Sequence, residues 1–356
     1  MRIAVHAADA GGCGHYRQIW PGYAVNKAGL HSVDVLVPGT DTAPSLPALW
    51  DESGKVVGLG ELCEGEVWPD LVILQRPLKY GLSAIIPHLQ EAGVAVVVEL
   101  DDDFASVTPR NVAWHKDLHH GVERLLEACD RADLVTVSTP ALAERYGQHC
   151  RVKVLPNYVP EQYLTMNSRR DDSETWIGWT GSVATHRDDL GVIGGGLATA
   201  IRGTDTKIAI VGTGVGTASR LGTGRIDNIS GWVPLSQYPY KIVDLDIGLA
   251  PLEHTRFNEA KSWLKPLEYA SLGVPCVATD IVEYSRLKAS FPGISLQLVE
   301  HPAGWKTAIK NMLSKDWLKE VRPLTRAAVA GATIEAHAQD WADAWTLAAR
   351  YHREGY

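Results

Sequence analysis

The chain lacks any long apolar run. Nowhere in its 356 residues is there a stretch approaching the roughly 18 apolar residues that a membrane-spanning helix needs. Its first residues read straight into a strand rather than into a signal peptide. Cysteine is sparse, and its spacing is uninformative. Cys13, Cys63, Cys129, Cys150 and Cys276 are scattered, odd in number and free of any C-x-x-C pair, which argues for reduced thiols over a disulfide framework. There is no excess of positive charge either. Lys and Arg number 34 against 42 Asp and Glu, a net charge of −8, which argues against a protein built to coat nucleic acid while leaving a local basic groove open. A cytoplasmic protein without membrane insertion is the expectation.

What is present is ordinary globular composition, 45% hydrophobic and 21% charged, in a length that exceeds one core and suits two α/β domains. Strands and helices alternate. Apolar runs at 2–8, 33–38, 71–75, 94–100, 134–138 and 152–157 read as parallel strands covered on both faces. Helical patterns fall between them at 79–92 and 111–129. A polar stretch over 168–175 reads as a linker. The alternation then restarts, with strands expected at 176–181, 207–212, 226–232, 246–251, 276–279 and 295–299. The tail from about 316 to 352 reads as helical throughout, and 39–69 reads as an insertion or irregular loop. The resulting fold class is α/β with two Rossmann-like halves.

Residues 244–280 carry the most chemistry. An apolar strand ending at Leu252 leads into a polar loop, then into a short helix ended by Gly273, then into the strand at 276–279. Loops after parallel strands, and helix N-termini, hold anions because unpaired N–H groups point outward there. Pro266 fits only the first turn of a helix, so Lys261 and Lys265 flank the helix start. Two ammonium groups suit a diphosphate, and Glu268 one turn on suits a pair of sugar hydroxyls.

The strand DIGLAPL, Glu268 and the run EYASLGVPCVATD resemble the donor-binding element of GT-B glycosyltransferases, above all the retaining glycosyltransferase family 4. The family's first acidic position is filled here by Ala260, beside Glu259. The departures from the family pattern resemble a divergent, phage-type branch. The resemblance implies two Rossmann-like domains facing each other across a cleft, with a C-terminal helix crossing back. The boundaries it suggests are an acceptor-side domain over 1–160, a linker over 161–175, a nucleotide-sugar-binding domain over 176–330 and a returning helix over 331–356. It also implies that Glu268 holds a ribose and that Lys265 meets the leaving diphosphate.

Position in the chain adds further candidates. Gly11-Gly12-Cys13-Gly14-His15-Tyr16-Arg17 comes after the first strand and opens a helix; glycines let backbone approach a ligand, and the same pattern also makes a plain tight turn. In the family such a loop faces the donor phosphates, which makes Gly12, Gly14 and Arg17 donor-side candidates. Asp101, Asp102 and Asp103 end the fourth strand, where the family places a histidine. Three adjacent carboxylates repel, so a partner or ligand is expected. Asp101 and Asp102 are candidates for an acceptor contact, a general base or a metal site, and a solvated turn with a helix cap is the alternative. His115 and His119 stand one helical turn apart, a spacing that occurs in zinc sites and on ordinary polar helix faces. Gly181 and Ser182 come after the first strand of the second half, with His186 and Arg187 shortly after. In the family this position carries basic side chains that contact the diphosphate, while Ser182 also suits a helix cap. Gly212 resembles the turn that cups the base, and Val233 resembles the segment that flanks it. Asn258, with Phe257, and Ser262 lie in the loop that carries Lys261, where Trp263 is a further candidate contact.

The reading that results is a metal-independent, retaining glycosyltransferase with no obligatory cofactor. It would move a sugar from a nucleoside diphosphate sugar to a hydroxyl acceptor, which could be a small molecule, a protein, a glycan or a modified base in DNA. A nucleotide-sugar epimerase or hydrolase on the same fold, and a non-catalytic sugar-nucleotide-binding protein, are the alternatives.

Overall fold

The computed structural model describes all residues except 39–45, 62–66, 108–117, 149, 169, 171, 172, 184–187, 214, 215 and 356, and for 118–120 and 213 the backbone alone. The chain divides into two compact units. One comprises Met1–Val107, Trp114–Tyr158 and Ile334–Tyr356; the other is built on Val159–Thr333.

The first unit is organised on a six-stranded sheet. Its strands are β1 (Arg2–His6) and β2 (Ser32–Leu36), then, beyond a separate antiparallel pair β3 (Ala48–Trp50) and β4 (Val56–Leu59), the strands β5 (Leu71–Gln75), β6 (Ala95–Leu100), β7 (Leu134–Val137) and β8 (Val152–Val154). The sheet runs β2-β1-β5-β6-β7-β8, and every pairing is parallel. Every residue of β5, β6 and β7 is buried, as expected of predominantly apolar runs in strands covered on both faces. The order reverses between β1 and β5, the kind of switch point at which α/β sheets hold ligands.

The second unit repeats the plan. Its strands are β9 (Trp176–Ser182), β10 (Lys207–Thr213), β11 (Asn228–Ile229), β12 (Ile247–Ala250), β13 (Cys276–Thr279) and β14 (Leu296–Val299). They pair in parallel as β11-β10-β9-β12-β13-β14, with the reversal between β9 and β12. Trp179 and Trp305 are fully buried in this unit's core, together with Ile177, Ile208, Ile247 and Leu249.

Three stretches differ from their sequence reading. The segment 39–69 contains the β3–β4 pair, which is short and largely exposed and so leaves no apolar run to read. The polar stretch at 168–175 is tied to the second unit: Ser168 donates to Asp244, and Arg170 donates to Asp246 at 2.7 Å and to the Asp244 and Glu174 carbonyls. The tail is two helices, Lys315–Ala328 and Ala338–Glu354. Between them the chain becomes extended, and Thr333 forms a parallel bridge with Val159. The last helix buries Trp341 and Trp345 on its apolar face, against β6, β7 and the helix Trp20–Lys27. Among the described residues no helix is long and apolar enough to cross a membrane.

One glycine of the second sheet governs how a helix packs on it. A Cβ on Gly248, in the middle of β12, would stand 2.6 Å from the ring of Tyr269. That ring lies on the helix Leu264–Ser271, so the absence of a side chain sets how closely this helix approaches the sheet. Gly248→Ala is expected to lower stability by about 1–3 kcal/mol through overpacking, read as a shift of the denaturant midpoint at unchanged slope.

Candidate functional site

The carboxyl ends of β9 and β12, at the reversal of the second sheet, are where an α/β sheet of this order holds ligands. Lys265 sits in the first turn of the helix that comes after β12. Its ammonium donates to the Thr180 carbonyl at 2.6 Å and to Thr180 Oγ1 at 3.0 Å. Thr180 lies near the end of β9 and is fully buried. Its hydroxyl is a hub: Tyr238 Oη lies at 3.0 Å and Tyr269 Oη at 3.5 Å. Tyr238 also donates to Glu268 Oε2 at 3.2 Å, and Tyr269 donates to the Leu249 carbonyl. Glu268, one turn beyond Lys265, is 4% exposed.

Lys265 therefore carries its charge among uncharged oxygens. Burial lowers its pKa and Lys261 lowers it further, while Glu268 and Asp189 act in the opposite sense. Burial and the neighbouring Glu268 push the Tyr238 phenol well up, so Tyr238 stays a neutral donor. Among the described residues no carboxylate bonds this half-buried ammonium, an arrangement that an anion would stabilise.

The other expected donor-side residues lie on the surrounding strands and loops. Gly181 and Ser182 end β9, and Gly212 lies beside Gly181 on β10. A Cβ on Gly212 would come within 1.8 Å of the Gly181 carbonyl oxygen, so close backbone packing alone demands glycine there. Val233 is half-buried, next to a Trp232 that is 70% exposed. Lys261 and Ser262 are half-buried in the loop before the helix, and the Lys261 ammonium stands 4.5 Å from the centre of the Phe257 ring. Asn258 differs from its expectation of facing a donor sugar. Its amide donates to Asp189 Oδ1 at 2.7 Å and to the Glu253 carbonyl at 3.0 Å, which makes it a brace between two loops. His186, Arg187 and His115 lie outside the described residues, and of His119 the backbone alone is described.

In the first unit the charged groups gather at the ends of β1, β5 and β6, again at the reversal. Asp9 accepts the N–H groups of Gly11 at 2.8 Å and Gly14 at 3.1 Å. The glycine loop thus meets the chain's own carboxylate where a phosphate was expected. A Cβ on Gly14 would clash with the Asp9 carbonyl at 1.9 Å, whereas one on Gly12 would meet nothing within 4 Å; only Gly12 leaves the backbone open to a ligand.

Arg17 also differs from its expectation. A π-helical turn, His15–Ile19, comes after the loop and directs this side chain inward, where it is 1% exposed. It donates to Glu99 at 2.6 Å, to the Leu155 carbonyl at 2.6 Å and to Asn157 at 2.8 Å. Burial raises the Glu99 pKa, and Arg17 opposes that shift.

The aspartate triplet has cationic partners. Asp101 takes a two-point contact from Arg76, which also reaches Asp102 at 3.7 Å and Asp9 at 3.8 Å. Asp103 pairs with Arg145. Among the described residues Arg76 is the one non-glycine with positive φ, 50°, a conformation costing about 1–2 kcal/mol. Sequence reasoning missed Arg76, Thr180, Tyr238 and Asp189. An arginine directly after the buried run LVILQ is the signal that could have found the first. Among the described residues no group of three or more His, Cys, Asp or Glu is arranged to hold a metal ion.

No protein-family profile matches this sequence, and no curated protein matches it. Solved structures do. Sucrose-phosphate synthase from Thermosynechococcus elongatus superposes with a TM-score of 0.65 at 13% identity, over 96% of this chain and 98% of that one. HepE of Anabaena, solved with UDP, gives 0.58 at 13% identity over 96% and 98%. A mutant of TarM from S. aureus, in complex with UDP, fondaparinux and alpha-GlcNAc-glycerol, gives 0.56 at 13% identity over 77% and 55%. At such identity the likeness establishes the fold, and the fold is GT-B.

The buried Arg17–Glu99 pair makes a stability prediction. Arg17→Met leaves a buried carboxylate unmatched and is expected to cost about 3–5 kcal/mol, most of it regained in the double variant Arg17→Met/Glu99→Leu. Because burial raises the Glu99 pKa, the single variant's loss should be smaller at about pH 5 than at about pH 8, where the carboxylate must ionise. Chemical denaturation at the two pH values checks both statements.

Proposed function

We propose that this chain is a glycosyltransferase that moves a sugar from a nucleoside diphosphate sugar to a hydroxyl acceptor. The observation that carries the proposal is the Lys265 ammonium at the reversal of the second sheet, bonded among the described residues to Thr180 alone, with the Glu268 carboxylate one turn away on the same helix. A diphosphate supplies the counter-charge that Lys265 lacks, and Glu268 accepts from the ribose hydroxyls. Two of the superposable GT-B structures hold UDP, which supports the same ligand class here.

In this reading Lys265 and Lys261 stabilise the negative charge that builds on the leaving diphosphate as the glycosidic bond breaks. Tyr238, a neutral donor to Glu268 Oε2, keeps that carboxylate oriented toward the ribose. No divalent ion is obligatory. Asp101, fixed by Arg76, positions the acceptor hydroxyl, with Asp102 beside it. The transfer retains the anomeric configuration, which proton NMR of the product reads directly. The acceptor is a small molecule, a protein, a glycan or a modified base in DNA.

Thermal unfolding with UDP, GDP, ADP, CDP and TDP tests the donor site. A diphosphate at about 100 times its dissociation constant adds about 2.7 kcal/mol. One of the five is expected to stabilise the wild type and to do so more weakly in Glu268→Ala. No shift with any of them overturns the proposal. The pH dependence is a second check. Because the Lys265 pKa is lowered, the ammonium is fully present well below that pKa and is lost as pH rises through it. Diphosphate affinity should therefore fall on the alkaline side at a lower pH than an ordinary lysine would give, and Lys265→Met should remove that limb. Turnover of donor without acceptor would instead assign the epimerase or hydrolase reading.

A further inference from the structure

The second unit has a cavity at the amino ends of β9 and β12, opposite the ends that carry Thr180 and Lys265. Its volume is about 300 Å³, and its described walls come from the segment before β9 (Asn167, Ser168, Arg170, Glu174 and Thr175), from Asp246 and from the helix Lys315–Ala328. The chain carries a net charge of −8, yet the described lining of this cavity is strongly cationic. Arg170, Lys315, Lys319, Arg322 and Arg326 face Glu174 and Asp246.

The charges are unevenly matched. Asp246 serves two guanidinium groups at once, Arg170 at 2.7 Å and Arg322 at 3.0 Å. Among the described residues Arg326 is met by uncharged oxygens only: the Asn167 amide oxygen at 3.1 Å and the carbonyls of Met166 at 2.7 Å and Leu272 at 3.0 Å. Its Nε is buried without a hydrogen-bond partner. A guanidinium so placed is a fork that lacks its oxyanion.

We propose that this cavity is an anion site that takes a phosphate group, either free or as the ester of a small molecule, separate from the donor cluster. The volume is at the low end of small-ligand pockets and suits a phosphate with at most a sugar-sized remainder. Burial and Arg322 both lower the Arg326 pKa, and a bound anion would reverse that shift. Arg326 holds the carbonyl of Leu272, the residue that caps the helix carrying Lys265 and Glu268. An anion here is independent of the glycosyltransferase reading.

Isothermal titration of the full chain with inorganic phosphate, and separately with a hexose 6-phosphate, at ionic strength balanced with chloride, tests the site. Saturable binding is expected in the wild type. Arg326→Gln and the charge reversal of the exposed Lys319, Lys319→Glu, should each weaken it by about tenfold or more. Lys265→Ala should change it by less than about twofold, because additivity holds for separate sites. Should Arg326→Gln fail to fold, Lys319→Glu carries the test. Tighter binding of inorganic phosphate assigns the free ion, and tighter binding of the hexose 6-phosphate assigns the ester. Absence of saturable heat up to about 10 mM ligand, a concentration above millimolar affinity, overturns the proposal. So does binding that is lost in Lys265→Ala and kept in Lys319→Glu, which would place the anion in the donor cluster.

Discussion

The second unit is arranged around one contact, the Lys265 ammonium on the carbonyl and hydroxyl of Thr180. It joins the first turn of a helix to the end of the central strand β9, at the point where the strand order reverses. For it to form, Gly248 must leave room for Tyr269, and the Tyr238 and Tyr269 hydroxyls must meet the same threonine. Each of these groups is buried or half-buried and neutral, so the ammonium is poorly solvated and its pKa is lowered. Low local polarity would strengthen its hold on the diphosphate of the proposed function.

The first unit solves the corresponding problem in the opposite way. Its glycine loop, its π turn and its aspartate triplet all lie at a sheet reversal, and each has an internal partner. Asp9 caps the loop, Glu99 takes Arg17, Arg76 takes Asp101, and Arg145 takes Asp103. Such a surface offers fixed dipoles and oriented carboxylates rather than an unmatched charge. Under the proposed function the first arrangement would position a neutral hydroxyl and the lysine would meet a diphosphate.

The first parallel sheet was legible because β5 and β6 are covered on both faces, and double burial writes a predominantly apolar run. The pair β3–β4 was not, since its strands are short and partly exposed. Lys265 and Glu268 could be placed on one helix because Pro266 marks a first turn. Thr180 and Tyr238 could not be joined to them from sequence, being 85 residues from Lys265 and 30 from Glu268; no local spacing encodes such a contact. Arg17 was misplaced because a 3.6-residue period does not anticipate a π turn. Asn258 was misplaced because its partner Asp189 is 69 residues away.

The first unit is discontinuous: its last portion, Ile334–Tyr356, comes after the whole of the second. A ribosome releasing this chain from its N-terminus completes the sheet of the second unit before the helix Ala338–Glu354 exists. Until Trp341 and Trp345 emerge, the apolar face that β6 and β7 turn toward that helix has only solvent or a chaperone to cover it. Transiently bare sheet faces of this kind are where nascent chains aggregate. The order of synthesis therefore makes the N-terminal half the later of the two to mature.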